Sequence, residues 1–199
     1  MLCEPKAGKL YVFEGASSSV EVIDPATLKV VAMIPASGSP EFAAADVRGH
    51  VYFNVEDRGE IDVIDTATQR IGSVWPLKGC ENPTGLALDA AHGRLFSSCQ
   101  NGVLAVTDTA DGRQVADVPI GAHPDAVVFD AATQTVLTSC GDGTLNVASE
   151  RTPDRYAVRE NLRTARGART FALDSVDRRL CLPTVKDGRF VVVVAAPQR

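Results

Sequence analysis

The stretch EFAAADVRGHVYFNVEDRGEIDVIDTATQRIGSVW, residues 41–75, contains four short segments that are each typical of a β-strand. They are EFAAAD, VYFNV, IDVID and RIGSVW, which we name strands A, B, C and D in chain order. Most are rich in β-branched or aromatic residues, several alternate apolar with polar side chains, and turn-forming residues separate them. This stretch therefore predicts an antiparallel meander of four strands.

The same unit recurs along the chain at a nearly constant period. Segments similar to strand B align without gaps, at spacings of 41, 44, 41 and 44 residues, on Leu10, Val51, Leu95, Val136 and Leu180. Segments similar to strand C align on Val22, Val63, Val106, Val147 and Val192. Segments similar to strand A end on Asp46, Asp89, Asp130 and Asp174. Four-stranded sheets that recur about every 42 residues are typical of the blades of a β-propeller, because one sheet cannot cover both of its faces alone.

We therefore predict an all-β fold, a single β-propeller domain of four-stranded antiparallel blades that forms an incomplete or open ring. The five repeats are predicted at about 1–35, 36–77, 78–120, 121–162 and 163–199. The chain begins inside a strand A, and residues 195–199 cannot supply a fifth strand D. Two alternatives remain open, a closed five-bladed ring with a ragged seam and the C-terminal portion of a larger propeller, of which the second is favoured. Unpaired sheet edges predict self-association.

Composition and motifs exclude several classes of function. The 199 residues carry a net charge of −5, which disfavours a protein whose main task is to bind nucleic acid. The longest apolar run, residues 190–196, is far too short for a membrane span. The sequence contains no G-x-S-x-G nucleophile motif, no glycine-rich phosphate loop and no C-x-x-C pair. We expect no cofactor and assign no catalytic residues and no metal ligands.

The repeats resemble the YVTN repeat of the YncE-like bacterial β-propellers. The resemblance rests on LYVFEGASSSVEVIDPATLKVVAMIPASGSPEFAAAD, residues 10–46, and on later segments such as GRLFSSC and GARTFALD, and it covers the whole chain. It implies the C-terminal five repeats of a usually seven-bladed protein, a periplasmic or extracellular location, and a binding or scaffold role without a common catalytic set. The chain as given departs from the family pattern, since it has five repeats and no signal peptide.

A candidate binding site lies where the loops from strand D into the next strand A open at one mouth of the propeller channel. The repeat alignment places four different polar side chains at one equivalent position, just before or in strand A: Glu41, Thr84, Asp125 and Arg169. Asn82 and His123 flank them. We name these six the mouth residues and expect them to bind an unidentified small polar or anionic ligand, or a protein. The alternative is a solvated rim without a ligand.

Two further functions remain open at this stage. Some propellers hydrolyse sugar lactones, and the residues available for such an enzyme are Glu41, Asn82, His123, Asp125 and Arg169. A metal site of Glu41, His123 and Asp125 has the right donor types but no supporting local spacing. A purely structural repeat protein would neither bind nor turn over a ligand.

The remaining features of interest in the sequence are its cysteines and an arginine-rich segment. Cys80 and Cys99 are predicted at the same end of one hairpin, so they are the best disulfide pair if the protein is exported. Cys140 occupies the position of Cys99 in the next repeat, too far away to bridge. Six arginines between residues 151 and 169 are expected in the longest connection, as a charged soluble loop or an anion site.

Overall fold

The computed structural model describes residues 1–196, and their strands form five antiparallel sheets. The sheets are the blades of a five-bladed β-propeller, which confirms the predicted fold class. No helix in this part of the chain is long and apolar enough to cross a membrane.

The strands follow the chain order within every sheet. The first sheet contains β1 (Leu2–Glu4), β2 (Lys9–Glu14), β3 (Ser19–Asp24) and β4 (Lys29–Pro35). The second contains β5 (Pro40–Ala45), β6 (His50–Val55), β7 (Glu60–Asp65) and β8 (Arg70–Pro76). The third contains β9 (Pro83–Asp89), β10 (Arg94–Cys99), β11 (Val103–Asp108) and β12 (Gln114–Pro119). The fourth contains β13 (Pro124–Asp130), β14 (Thr135–Cys140), β15 (Thr144–Thr152) and β16 (Arg155–Arg163). The fifth contains β17 (Ala172–Leu173), β18 (Leu180–Lys186) and β19 (Arg189–Ala195).

The core lies between neighbouring sheets rather than inside any one of them. Between the first and second sheets, for example, Tyr11 and Ile34 pack with Phe53 and Ile64, and all four are buried. Similar clusters join each later pair, ending with Leu137 and Leu182 between the fourth and fifth sheets. Burial of one such large apolar side chain stabilises the fold by about 1.5–3 kcal/mol. Each sheet is therefore held by its neighbours.

The first strands of the sheets are the inner strands of the propeller. β5 contacts both β1 and β9, and β9 also contacts β13. The approach of β9 to β13 requires glycine, because a Cβ at Gly85 would lie 2.5 Å from the carbonyl oxygen of Asp125. Within residues 1–196, no comparable strand contact joins β1 to the fifth sheet.

The fifth sheet departs from the repeat in two ways. Its inner strand has only two residues and no fourth strand follows β19 within residues 1–196, while residues 197–199 lie outside the described part of the chain. The alignment of its strand C on Val192 is wrong, because Val194 pairs with Cys181 as Val22 pairs with Tyr11 in the first sheet. The reason is the tight Asp187-Gly188 turn, where positive φ values of 51° and 71° allow the two strands to pair up to the turn.

The arginine-rich segment also differs from expectation. β15 and β16 have nine residues each and form a long hairpin, so four of its arginines lie in or at the end of strands rather than in a loop: Arg151, Arg155, Arg159 and Arg163. β16 is the edge strand of the fourth sheet, and its arginines Arg155, Arg159 and Arg163 are all exposed.

We predict self-association through the free edge of β19. Within residues 1–196 this strand pairs with β18 on one side only, and the exposed side chains along it include Phe190, Val192 and Val194. Unpaired backbone groups beside apolar side chains favour edge-to-edge pairing, and a lysine on an edge strand opposes it. Light scattering over a range of protein concentrations should show association of the wild type and less association of Val192→Lys. Val176→Lys, which changes an exposed valine outside the strands, is the control. A wild type that stays monomeric throughout would contradict the prediction.

Candidate functional site

The mouth of the channel lies at the starts of the inner strands. Glu41 lies on β5, Thr84 on β9 and Asp125 on β13, each one residue after a proline that begins its strand. Arg169 lies in the segment before β17. Because the inner strands begin at the same end of their sheets, these residues of four different blades lie at the same end of the channel.

An ion pair joins two of these blades. Nε of Arg169 lies 3.2 Å from Oδ2 of Asp125, and the aspartate side chain is 17% exposed against 61% for the arginine. Burial raises the pKa of the Asp125 carboxyl, although the guanidinium of Arg169 opposes this rise. The backbone of Arg169 is fixed, since its carbonyl oxygen accepts hydrogen bonds from the Ala126 amide and the Ser139 hydroxyl. A rigid backbone thus presents a largely solvated guanidinium beside a sheltered carboxylate.

Glu41 belongs to the same electrostatic group. Burial raises the pKa of its carboxyl, the negative charges of Glu56 and Asp125 raise it further, and Arg169 lowers it. Glu41 also lines a cavity of about 410 Å³ whose apolar wall includes Phe13 and Phe42. Glu41 therefore joins the charged group of Asp125 and Arg169 to a neighbouring cavity with an aromatic wall.

The other three mouth residues have different positions. Thr84 is buried, and its hydroxyl donates a hydrogen bond of 3.1 Å to the carbonyl oxygen of Pro124, so it ties β9 to β13. Asn82 and His123 are exposed corners with positive φ, 47° and 55°, a backbone conformation that asparagine and histidine adopt more readily than most residues. Among residues 1–196, Glu41, His123 and Asp125 do not meet as a group of metal ligands.

A buried polar layer beneath the mouth was missed by the sequence analysis. Nδ2 of Asn54 donates to the carbonyl oxygens of Thr84 and Gly85 at 2.9 and 3.0 Å, and the Ser97 hydroxyl donates to Oδ1 of Asn54 at 2.8 Å. Buried polar groups that are satisfied in this way fix one arrangement of the strands. The available signal was a polar residue at one position of strand B, which in successive repeats is Asn54, Ser98 and Ser139.

Two equivalent side chains of strand C hold the loops that lead to the mouth. Asp62 accepts hydrogen bonds from the amide and the hydroxyl of Ser37, at 2.9 and 3.0 Å, just before β5. Oδ1 of Asn146 accepts the amide of Gly121 at 2.8 Å, just before β13. The fully buried Asp62 does with a carboxylate what Asn146 does with a neutral amide, and burial raises the pKa of the Asp62 carboxyl.

A disulfide joins Cys80, in the loop before β9, to Cys99 at the end of β10, with the Cα atoms 5.2 Å apart. Both residues are buried in the cluster between the second and third sheets. Cys140 is buried and free, whereas Cys3 and Cys181 are exposed and free. The bond ties the mouth loop of the third blade to the neighbouring strand.

Comparisons with known proteins support the fold alone. No protein-family model matches the sequence, and no curated protein matches it. Among solved structures, hydrazine synthase of Kuenenia stuttgartiensis is similar with a TM-score of 0.75 and 16% identity, over 96% of this chain and 60% of that chain. Dihydro-heme d1 dehydrogenase NirN, solved in complex with DHE, is similar with the same TM-score and identity, over 96% of this chain and 42% of that chain. The chain thus spans less than two thirds of either protein.

We predict that Asp62→Asn becomes relatively more stable than the wild type as pH rises. Because burial raises the folded-state pKa of Asp62, the folded state holds its proton more tightly than the unfolded state. The wild type therefore loses stability as pH rises from the unfolded to the folded pKa, and the loss persists above it. The neutral asparagine is free of this loss and retains an acceptor for Ser37. Urea denaturation from pH 3 to 7 measures the difference, and Glu21→Gln, at the equivalent position of the first sheet, corrects for the change in net charge. A difference that does not vary with pH would refute it.

We predict three classes of thiol in protein made under oxidising conditions. In the native state an alkylating reagent should modify Cys3 and Cys181, because both are exposed. Cys140 should react only after unfolding, since burial also raises its pKa to about 11. Cys80 and Cys99 should react only after reduction, and loss of their bond should cost roughly 3 kcal/mol in the chain-entropy estimate. Peptide mapping without reductant checks this, and recovery of both as free thiols would reject the disulfide.

Proposed function

We propose that the chain is a binding module of YncE-like type that takes a small polar or anionic ligand at the mouth of its channel. The single observation that carries this proposal is the arrangement of Glu41, Asp125 and Arg169, from three blades, around one opening. Unlike charges at equivalent positions of a repeat make the opening asymmetric, and an asymmetric set of polar groups can orient a ligand.

Arg169 is the anchor for an anionic group. Within residues 1–196 its guanidinium forms one ion pair, through Nε, and its side chain is 61% exposed. The planar guanidinium has further N–H donors, and two of them can bind a carboxylate or phosphate in parallel. Asp125 holds the guanidinium in place while leaving this outer edge to the ligand.

Glu41 and the aromatic wall would hold the rest of the ligand. A carboxyl with a raised pKa accepts a hydrogen bond when ionised and donates one when protonated. Phe13 and Phe42 offer apolar contacts beside it in the same cavity. This combination suits a hydroxylated carboxylic acid or a short peptide better than a polyanion, which the acidic chain would repel.

The mouth is a better binding surface than the outer strands because its residues are free to vary. Alternate side chains of the strands are committed to packing between neighbouring sheets. Buried hydrogen bonds already fix the backbone at the starts of β5, β9 and β13. The side chains presented there can therefore vary and determine which ligand binds. Propellers host many functions through such variation, so the fold by itself selects none of them.

The compartment follows as a second part of this proposal. The resemblance of the repeats to exported YncE-like propellers and the Cys80–Cys99 disulfide both favour a periplasmic or extracellular site of action. Disulfides persist mainly in oxidising compartments.

We predict that Arg169→Ala and Asp125→Ala weaken ligand binding but barely affect folding. Removal of a charge-assisted hydrogen bond costs roughly 1.5–3 kcal/mol of binding, which corresponds to about tenfold or more in affinity. Stability should change by only about 0.5 kcal/mol for the exposed arginine. Calorimetric titration of sugar acids, hydroxy acids and short peptides first identifies the ligand among these probes, and the variants are then compared with the wild type.

The matched control is Arg113→Ala. Arg113 is as exposed as Arg169 and forms its own ion pair with Asp111, but it lies beside an outer strand. Its removal should leave the affinity unchanged. Affinity that depends on Arg113, Lys29 or Gln69 and not on the mouth would move the site to the outer strands. Hydrolysis of a sugar lactone that a chelator abolishes would replace the binding role with an enzymatic one.

A further inference from the structure

A compact group of ionisable side chains lies at the end of β9 away from the mouth. It comprises Asp89, the last residue of β9, His92 in the following turn, and Glu150 on β15 of the next sheet. β9 has seven residues, so this group lies roughly 20 Å along the strand from the mouth. It shares no residue with the proposed ligand site and does not depend on that proposal.

The three side chains approach within the reach of one ion. Nδ1 of His92 lies 2.5 Å from Oδ2 of Asp89 and 3.7 Å from Oε2 of Glu150. The side chains of Asp89 and Glu150 are only 2% and 3% exposed, whereas that of His92 is 40% exposed. Two buried carboxylates thus share a histidine that is open to solvent.

One carboxylate oxygen of this group has no partner. The amides of Ala91 and His92 hold Oδ1 of Asp89, and the Tyr156 hydroxyl donates to Oε1 of Glu150 at 3.3 Å. Oε2 of Glu150 is buried without any hydrogen bond and points at His92. A buried charged oxygen without a partner is costly, which leaves this atom able to accept a cation.

The two carboxylates of this group have few basic partners. His92 is the one ion-pair partner of both Asp89 and Glu150 in residues 1–196. The nearby Arg94 is occupied by Asp108 at 3.0 Å and by Asp154 at 2.8 Å.

The equivalent positions of the neighbouring blades balance their aspartates differently. Arg178 of the fifth blade forms an ion pair with Asp130. Asp46 accepts hydrogen bonds from the Tyr52 hydroxyl at 3.0 Å and from the ring of His50 at 2.9 Å, and no second acid completes a group of three ligands there within residues 1–196. At Asp89 the next blade contributes a second acid in place of an arginine.

We propose that Asp89, His92 and Glu150 bind a divalent transition-metal ion of the zinc class and thereby join the third and fourth blades. One imidazole nitrogen and two carboxylate oxygens are donors that zinc accepts at about 2.0–2.2 Å, with water in the remaining position. The 3.7 Å separation suits ligands of one such ion, while the 2.5 Å contact between His92 and Asp89 must open for both to bind it. The exposed edge of His92 is the entry path.

Cobalt titration provides the test, with Co²⁺ used in place of zinc because its visible absorption reports its ligands. The wild-type chain is stripped with a chelator, returned to metal-free buffer and titrated with Co²⁺, and Zn²⁺ is then added to displace it. We expect His92→Gln and Glu150→Gln to weaken binding by at least about tenfold. His50→Gln is the matched control, since it removes the histidine of the Asp46 pair, and it should bind as the wild type does. Thermal melts without metal establish that each variant is folded.

Several results would overturn the proposal. Failure of the wild type to bind Co²⁺ would leave the group as an ion triad closed by protonated His92. Equal affinity of Glu150→Gln and the wild type would place the ion elsewhere. A thiolate-to-cobalt charge-transfer band would assign it to the exposed Cys3 or Cys181. Equal losses in His50→Gln and His92→Gln would indicate adventitious binding to surface histidines.

Discussion

The structure depends on the mutual burial of neighbouring sheets. Each blade has two apolar faces, and residues 1–196 include no helix to cover them, so the large side chains are buried against neighbouring blades. Tyr11 and Phe53, for example, are both fully buried, yet they come from different blades. Because the strand faces are committed to this packing, variation that supports function is confined to the two ends of the strands.

The two ends use the same repeat in different ways. At the mouth, equivalent positions carry Glu41, Asp125 and Arg169, and their charges act on one another across the opening. At the opposite end the equivalent residue is always acidic, and its carboxylate first satisfies the amides of its own turn, as Asp46 does for Gly49 at 2.8 Å. The mouth therefore has different side chains at equivalent positions. The opposite end has an acidic residue in each blade, and the side chains that interact with this residue differ between blades.

The sequence predicted the features that the period controls. Spacings of 41 and 44 residues were sufficient to identify the blades. The burial of each mouth residue could not be predicted from the period. Thr84 has the same alignment position as Asp125 but is buried against Pro124, because Gly85 lets β9 approach β13 there. The predicted register of the fifth sheet was wrong for a local reason. A two-residue turn at Asp187 joins its strands, and an alignment based on all the repeats does not detect a change in one turn.

The group at Asp89 was beyond sequence reasoning because its members belong to different repeats. Asp89 and His92 are neighbours in the chain, but Glu150 reaches them only through the packing of β15 against the third blade. The preceding blade also has an Asp–His pair, Asp46 and His50, but within residues 1–196 no acid of its neighbour completes a group of three ligands there. An alignment of the repeats identifies the residues that the repeats share. A site between two blades can instead depend on a residue that only one repeat has. In this propeller the partners of the repeated aspartate differ from blade to blade, and such a difference is what brings Glu150 to Asp89 and His92.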